Sequence, residues 1–402
     1  MQNLPYIITS FLLAIGISLY AVPIVIRVAH SLKLMDNPNE RSAAKSPIPT
    51  LGGIAIFLSF VFASTVGMSG AELPEMVYIL SAVILMFFVG LKDDILNLSA
   101  WKKLVAQLIT SAIIVFFAKI RFTNLHGFFG IGAIEMLPSV LLTFFVIIVI
   151  INAFNLMDGI DGLAAGLSMM AGIVFGVWFF ISGHHDYAIL SFALVGATSG
   201  FFYYNLYGKK NKIFMGDTGS LVLGTLMAII VIRFNEFNID QTQPFAIASA
   251  PAVSFGILIY PLIDTIRVFI IRLLQFKSPF TADKNHLHHR FLTLGFSHKR
   301  ATYTIISINI LFIIPVFALQ HIGIIPLMGF IILTSGILFM IPALFIHRRH
   351  LIKENDPHQQ LLMPGMTYEL IRNRKYVLKV SKHDTRKQGV KLQTFFQKLN
   401  LW

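Results

Sequence analysis

The sequence predicts an all-α integral membrane protein of about eleven transmembrane helices, with the N-terminus outside and the C-terminus in the cytoplasm. Three observations predict it. Hydrophobic residues make up 56% of the 402 and charged residues 13%, with a mean hydropathy of +0.74, whereas soluble domains run near roughly 45–50% apolar and 25% charged. Apolar runs of about 17–25 residues recur along most of the chain, each long enough as a helix to cross a hydrocarbon core of about 30 Å. Lys and Arg gather on one set of the connecting loops.

Taken in order, the runs place spans at 5–29, 50–67, 75–91, 103–119, 138–156, 162–182, 186–206, 218–234, 246–271, 300–319 and 323–346. The first lacks the small-residue cleavage site of a signal peptide and passes into "RVAH", so it is kept as a span. Lys33, Arg41, Lys45, Lys92, Lys102, Lys209, Lys210, Lys212, Arg272, Lys277, Lys284, Arg290 and Lys299 fall on one side. Little beyond Lys119, Arg121 and Arg233 falls on the other. The basic side is cytoplasmic, which sets the orientation given above.

Residues 1–346 form the membrane domain, and 347–402 a basic cytoplasmic tail with twelve Lys/Arg against four Asp/Glu. "KLQTFFQKLNLW" at its end either stays solvated or lies on the anionic leaflet as an amphipathic helix. The net charge of +13 is then mostly inside bias and tail, and a nucleic-acid partner is unnecessary. With no Cys, the chain has no disulfide framework, no thiolate nucleophile and no Cys-based metal site.

The remaining polar residues collect in five loops, all on the cytoplasmic side: "PTLGG" (49–53), "GLKDDILNLSAWKK" (90–103), "NAFNLMDGIDG" (152–162), "NLYGKKNKIFMGDTGS" (205–220) and "DKNHLHHRF" (283–291). Asp93 and Asp94 follow a span directly. One Asp there reads as a membrane stop, but an adjacent pair backed by Lys102 and Lys103 suits the handling of a cation or proton. Asp217 stands before a helix whose N-terminus offers free N–H groups to phosphate, unless Asp217 or Thr218 simply caps it. Phe214 is either core or a flat ring for a nucleobase. His286, His288, His289 and Arg290 suit an anion better than zinc, for which no further ligands stand at the required spacing.

Asn152, Asn155, Asp158 and Asp161 recur every third residue. On a straight helix Asn152 and Asp161 point apart, so Gly159 and Gly162 are expected to end the helix there. Carboxylates and amides suit a hard cation such as magnesium, while Lys, Arg and His suit phosphates. The residues alone thus describe a membrane enzyme acting on a phosphorylated cytoplasmic substrate. An ion-coupled transporter is the rival class, but its polar residues belong at the bilayer midplane, which here reads apolar.

"PTLGG", "DDILNL", "NAFNLMDGIDGL", "FMGDTGSL" and "HLHHRF" together resemble, in order and spacing, the polyprenyl-phosphate N-acetylhexosamine-1-phosphate transferases, a family that includes the phospho-MurNAc-pentapeptide translocase. The resemblance covers about residues 1–346 and implies a catalytic membrane domain. It implies transfer of a HexNAc-1-phosphate, GlcNAc-1-phosphate first, from a UDP-amino sugar to undecaprenyl phosphate with release of UMP, opening cell-surface polysaccharide synthesis. A MurNAc-pentapeptide or another UDP-HexNAc donor is the alternative; "HLHHRF" with Arg290 in place of a triple-His run favours the plain HexNAc. Magnesium is the implied cofactor, with manganese as alternative, and the implied place is the bacterial cytoplasmic membrane with the site facing the cytoplasm. Such cores often pair, which adds a homodimer to the expectations. Residue by residue, Asn155 and Asp217 match the metal positions. Asp93 and Asp94 match the acidic pair by the acceptor phosphate, and Lys103 a phosphate-holding lysine. Lys45, Thr50, Asp161, Asn205 and Phe214 match the nucleoside side, with Phe214 under the uracil. His288, His289 and Arg290 match the loop at the donor's phosphate or sugar end. Asp158, outside these matches, either joins the catalytic carboxylates or positions Asn155 or a neighbouring Lys without touching substrate.

Overall fold

The computed structural model describes residues 3–36, 47–68, 73–276, 286–354, 366–371 and 375–380. Its helices are α1 (Leu4–Ser31), α2 (Gly52–Gly67), α3 (Met76–Leu96), α4 (Ala100–Ala112), α5 (Met136–Met157), α6 (Leu163–Ile181), α7 (His185–Phe202), α8 (Gly216–Phe237), α9 (Ala250–Ile257), α10 (Ile259–Leu274), α11 (Leu287–Thr293), α12 (His298–Ala318) and α13 (Ile324–Glu354). Three two-stranded hairpins are the described sheet structure: β1 (Met35–Asp36) with β2 (Ile48–Pro49), β3 (Asn124–Phe128) with β4 (Ile131–Ala133), and β5 (Met366–Ile371) with β6 (Lys375–Val380). The protein is a multi-pass, all-α membrane protein. Among the described residues nine helices are long and apolar enough to cross a bilayer.

Two of the expected spans take another form. The run at 50–67 becomes α2, only 16 residues long. The run at 246–271 breaks into α9 and α10 at Leu258. Pro261 supplies the cause, since it has no N–H to give the carbonyl of Ile257 one turn earlier. Backbone groups freed inside a membrane must find partners, and Asn309 of α12 provides them. Its Nδ2 donates to the Ile257 carbonyl at 3.1 Å, and its Oδ1 accepts from the Tyr260 N–H at 3.3 Å.

The molecule divides into units Met1–Phe339 and Met340–Trp402. In the first, α8 is the central helix, buried along most of its length, while α1 keeps most of its surface outward. Two glycines let backbones meet the start of α8. A side chain at Gly53 of α2 would run into Gly219, and one at Gly90 of α3 into Asp217 and Thr218. The loops tighten the same corner: the Phe214 N–H donates to the Pro49 carbonyl at 2.7 Å, and the Gly52 and Gly53 N–H groups donate to the Phe214 and Met215 carbonyls, each at 2.9 Å. The "PTLGG" and "FMGD" stretches therefore form one paired backbone layer. In the second unit, β5 pairs antiparallel with β6 from Met366 against Val380 to Ile371 against Lys375.

At the far end of the same helices a polar clasp holds α3, α7 and α8. Arg233 donates to Glu75 at 2.5 Å and to the Tyr187 hydroxyl at 2.8 Å, and that hydroxyl donates to Glu75 at 2.8 Å. With one end clasped and the other packed glycine to backbone, the α8 N-terminus has little freedom. That N-terminus carries Asp217.

Candidate active site

Asp217 is the hub. Its Oδ1 accepts a hydrogen bond from Asn155 Nδ2 at 2.9 Å, and its Oδ2 pairs with Lys103 Nζ. The same lysine pairs with Asp93 Oδ2 at 2.6 Å, and Asp93 Oδ1 accepts from the Leu98 N–H at 2.5 Å. That second bond closes the turn after α3, where Asn97 is left-handed, so one carboxylate both shapes the turn and faces the lysine. Asn155 Nδ2 also donates to Ser220 Oγ at 2.9 Å, one turn along α8. Four helix ends, of α3, α4, α5 and α8, thus converge on one anion-rich, lysine-bridged cluster.

Asp94 does something the sequence did not show. Its Oδ1 accepts from the Asp217 N–H at 2.7 Å, and its Oδ2 from the Thr218 N–H at 3.0 Å and the Thr218 hydroxyl at 2.5 Å. Its carboxylate caps the first turn of α8 from another helix, where the N-cap residue Met215 has no side chain able to do so. This corrects two expectations. The Asp217 and Thr218 N–H groups are taken by Asp94 and are not free for phosphate, and the capping group is neither the carboxylate of Asp217 nor the hydroxyl of Thr218. The reason is the approach of α3 at Gly90, which brings the next turn's carboxylate onto the end of α8.

In the loop after α5 the helix ends at Met157, and Gly162 takes a left-handed φ of +77°. Asn152 points to α4, where its Nδ2 donates to Gln107 at 2.9 Å. The half-buried Asp158 carboxyl is pushed up to about 8, chiefly by burial and then by the charges of Asp217, Asp94 and Asp161. Asp161 forms a second cluster. Its Oδ2 accepts from Lys212 Nζ at 2.6 Å and meets His298 Nδ1 at 2.9 Å. Burial works to raise its carboxyl, but the His298 and Lys212 hydrogen bonds hold it below the usual carboxylate range. Lys212 also stands 5.6 Å from the centre of the half-buried Phe214 ring. Asn205 is spent internally: its Oδ1 accepts from the Gly162 N–H at 2.5 Å and its Nδ2 donates to the Ile213 carbonyl at 2.7 Å. It staples the two loops rather than presenting its amide outward. The Thr50 carbonyl lies against Gly216, while Lys45 lies outside the described residues.

The His loop makes a third cluster. His288 is buried, its Nδ1 has no partner, and its ring lies so close to Gly159 that a side chain there would strike it. Burial, then the neighbouring His289, pushes the imidazole down to about 3, so it is neutral at physiological pH. His289 packs on it at 4.3 Å, and Arg290 follows on the same half-buried turn.

The sequence that builds this site is similar to known proteins. The model of glycosyl transferase family 4 matches residues 76–235. The undecaprenyl-phosphate alpha-N-acetylglucosaminyl 1-phosphate transferase of Escherichia coli strain K12 is 30% identical over 278 residues, 68% of this chain and 73% of its own. The probable undecaprenyl-phosphate N-acetylglucosaminyl 1-phosphate transferase of Bacillus subtilis strain 168 is 32% identical over 319 residues, 78% of this chain and 85% of its own. The chain belongs to glycosyl transferase family 4.

In this family 4 member the structure brings Asp93, Asp94, Lys103, Asn155 and Asp217 into contact, and sets Asp161, Asn205 and Phe214 around the neighbouring loop. Sequence reasoning left out Lys212 and His298 as partners of Asp161, Thr218 as a partner of Asp94, and Ser220 on α8. It also left out Asp264, which holds His286 Nδ1 at 2.9 Å. Asp264 had a signal, a lone acid inside the apolar run "YPLIDTIRV". Lys212 was hidden in a basic loop, and His298 had no signal short of its contact.

Proposed function

We propose that this protein transfers a HexNAc-1-phosphate, GlcNAc-1-phosphate first, from a UDP-amino sugar to undecaprenyl phosphate and releases UMP, as the opening membrane step of a cell-surface polysaccharide. The observation that carries the reading is the convergence of Asp93, Lys103, Asn155 and Asp217 at the ends of four helices, in a chain alike over most of its length to proteins named for that reaction. An oxygen of the lipid phosphate forms the new bond to the sugar-linked phosphorus, and the bond from that phosphorus to the bridging oxygen breaks, leaving with UMP. A phosphate monoester with a second pKa near 6 is largely dianionic at neutral pH and needs little help from a base. The obstacle is anion meeting anion, so charge neutralisation and positioning supply most of the acceleration.

Lys103 is the cation already in place, and Asp94 fixes the backbone of Asp217. Asp94 accepts three hydrogen bonds, which leaves it poorly suited to act as a nucleophile and favours direct displacement over a covalent route. The residues fit a magnesium ion: the Asp217 carboxylate and the Asn155 amide, side by side, offer the hard oxygen donors it prefers. Asp217 and Asn155 would hold it. Bound there, magnesium, or manganese in its place, supplies charge to the donor diphosphate. Phe214 and Lys212 flank the nucleoside side, and His289 and Arg290 the phosphate or sugar end.

The same reading takes the chain across the bacterial inner membrane eleven times with the N-terminus outside and this site facing the cytoplasm; the bias of Lys and Arg to one set of loops supports that orientation. Pairing into a homodimer belongs to the same reading. Purified protein mixed with UDP-GlcNAc, undecaprenyl phosphate and magnesium is expected to release UMP, with each component required. No UMP with any UDP-amino sugar would sink the proposal.

A further inference from the structure

Between α10 and α11 lies a carboxylate that the proposed chemistry does not use. Asp264 is 2% exposed. A charge so placed is costly unless paired, and its pairing is specific. Its Oδ2 lies 2.9 Å from His286 Nδ1, its Oδ1 accepts from the Leu287 N–H at 3.0 Å, and Arg267 donates to Oδ1 at 2.7 Å.

His286 is the N-cap residue of α11, yet its own side chain makes no capping bond, and the carboxylate of α10 caps the helix instead. Seven residues are too few to hold a helix by themselves. This short helix carries His288, His289 and Arg290. The rings of His286 and His288 lie nearly parallel at 5.6 Å, and His288 rests on Gly159 in the loop between Asp158 and Asp161. A continuous set of contacts therefore runs from Asp264 through His286 and His288 to the loop that borders the Asp217 cluster. A carboxylate on Nδ1 also fixes the orientation of the His286 ring.

We infer that Asp264 is a positioning residue: it acts through His286 to seat His288 on Gly159 and so to set where α11 presents His289 and Arg290 to the donor. It touches no substrate itself. The kinetic side of this inference rests on the transferase reading; the structural side, that Asp264 anchors α11, does not.

The test is a double-mutant cycle of Asp264→Asn and His286→Gln, with kcat and KM for the UDP-sugar and for the lipid measured per folded molecule. Each single change is expected to lower turnover about 10- to 100-fold. KM is expected to rise for the UDP-sugar and hold for the lipid, and the double variant to be no worse than the worse single one. Losses that multiply in the double variant, or kcat per folded molecule unchanged by Asp264→Asn, would overturn the inference. Amide hydrogen exchange over Leu287–Thr293 provides a readout that needs no activity. Asp264→Asn is expected to speed exchange there and leave α8 unchanged. Unaltered exchange in α11 would refute the anchoring even if UMP release were never observed.

Discussion

Asp217 and Asp94 are neighbours in space but differ in what they do. Asp217 meets an amide and a lysine, side chain to side chain, while Asp94 is consumed by the backbone and hydroxyl at the start of α8. Asp217→Asn is accordingly expected to cut turnover by about 10²–10³ or more while the protein remains folded. Asp94→Ala is expected to lose turnover and also about 0.5–2 kcal/mol of stability, the usual worth of a helix cap. Thermal unfolding in detergent separates the two, and equal melting of both variants would contradict the division of roles. His288 gives a pH prediction. Its imidazole is held near 3, below the ordinary value near 6.5, with His286, His289, His298 and Asp264 around it. A lowered folded-state value means that the unfolded chain binds the proton more readily. The contribution is therefore complete above about pH 6.5 and is lost as pH falls toward 3, about 2 kcal/mol by pH 5. His288→Gln is expected to flatten the decline in melting temperature between pH 7 and 5, and an unchanged slope would contradict a buried neutral imidazole.

At the scale of elements, the sequence showed which segments are helical but not where one of them breaks. Pro261 stood in plain view, yet a proline in an apolar run permits either a kink or a break, and Asn309 decides it from α12 by satisfying both freed backbone groups. Asn309→Leu is expected to destabilise the protein by about 1–3 kcal/mol, since a buried carbonyl and N–H are left without partners. A melting temperature equal to that of the parent would show that the break is held by something else. Gly90 decides the other critical approach, that of α3 to α8. Gly90→Leu is expected to abolish folded protein in the membrane, while Val77→Leu, at an exposed position on the same helix, is expected to leave it intact. Fluorescence-detected size exclusion would compare them directly.

For the whole molecule, composition and run length made the membrane class and its helices legible, because a bilayer imposes length and apolarity on each crossing separately. The five polar loops were also legible as a group, and the structure places Asp93, Lys103, Asn155 and Asp217 together. What stayed hidden is every relation that depends on tertiary contact: Asp94 capping a helix 123 residues away, His298 meeting the Asp161 N–H across 137, and Asp264 reaching His286. No local pattern encodes such pairs, since each partner alone looks like an ordinary polar residue at a helix end. The molecule that results clasps α8 at its far end and gathers a polar cluster at the near one, which is where the proposed reaction is placed. The central claim is that the bond between the two donor phosphorus atoms' bridging oxygen and the sugar-linked phosphorus is the one cleaved. Radiolabelled UDP-GlcNAc tests this most directly: label in the sugar-linked phosphate is predicted to enter the butanol-extractable lipid, and label in the uridine-linked phosphate to remain in water as UMP. Both labels in the lipid, or neither, would contradict the account.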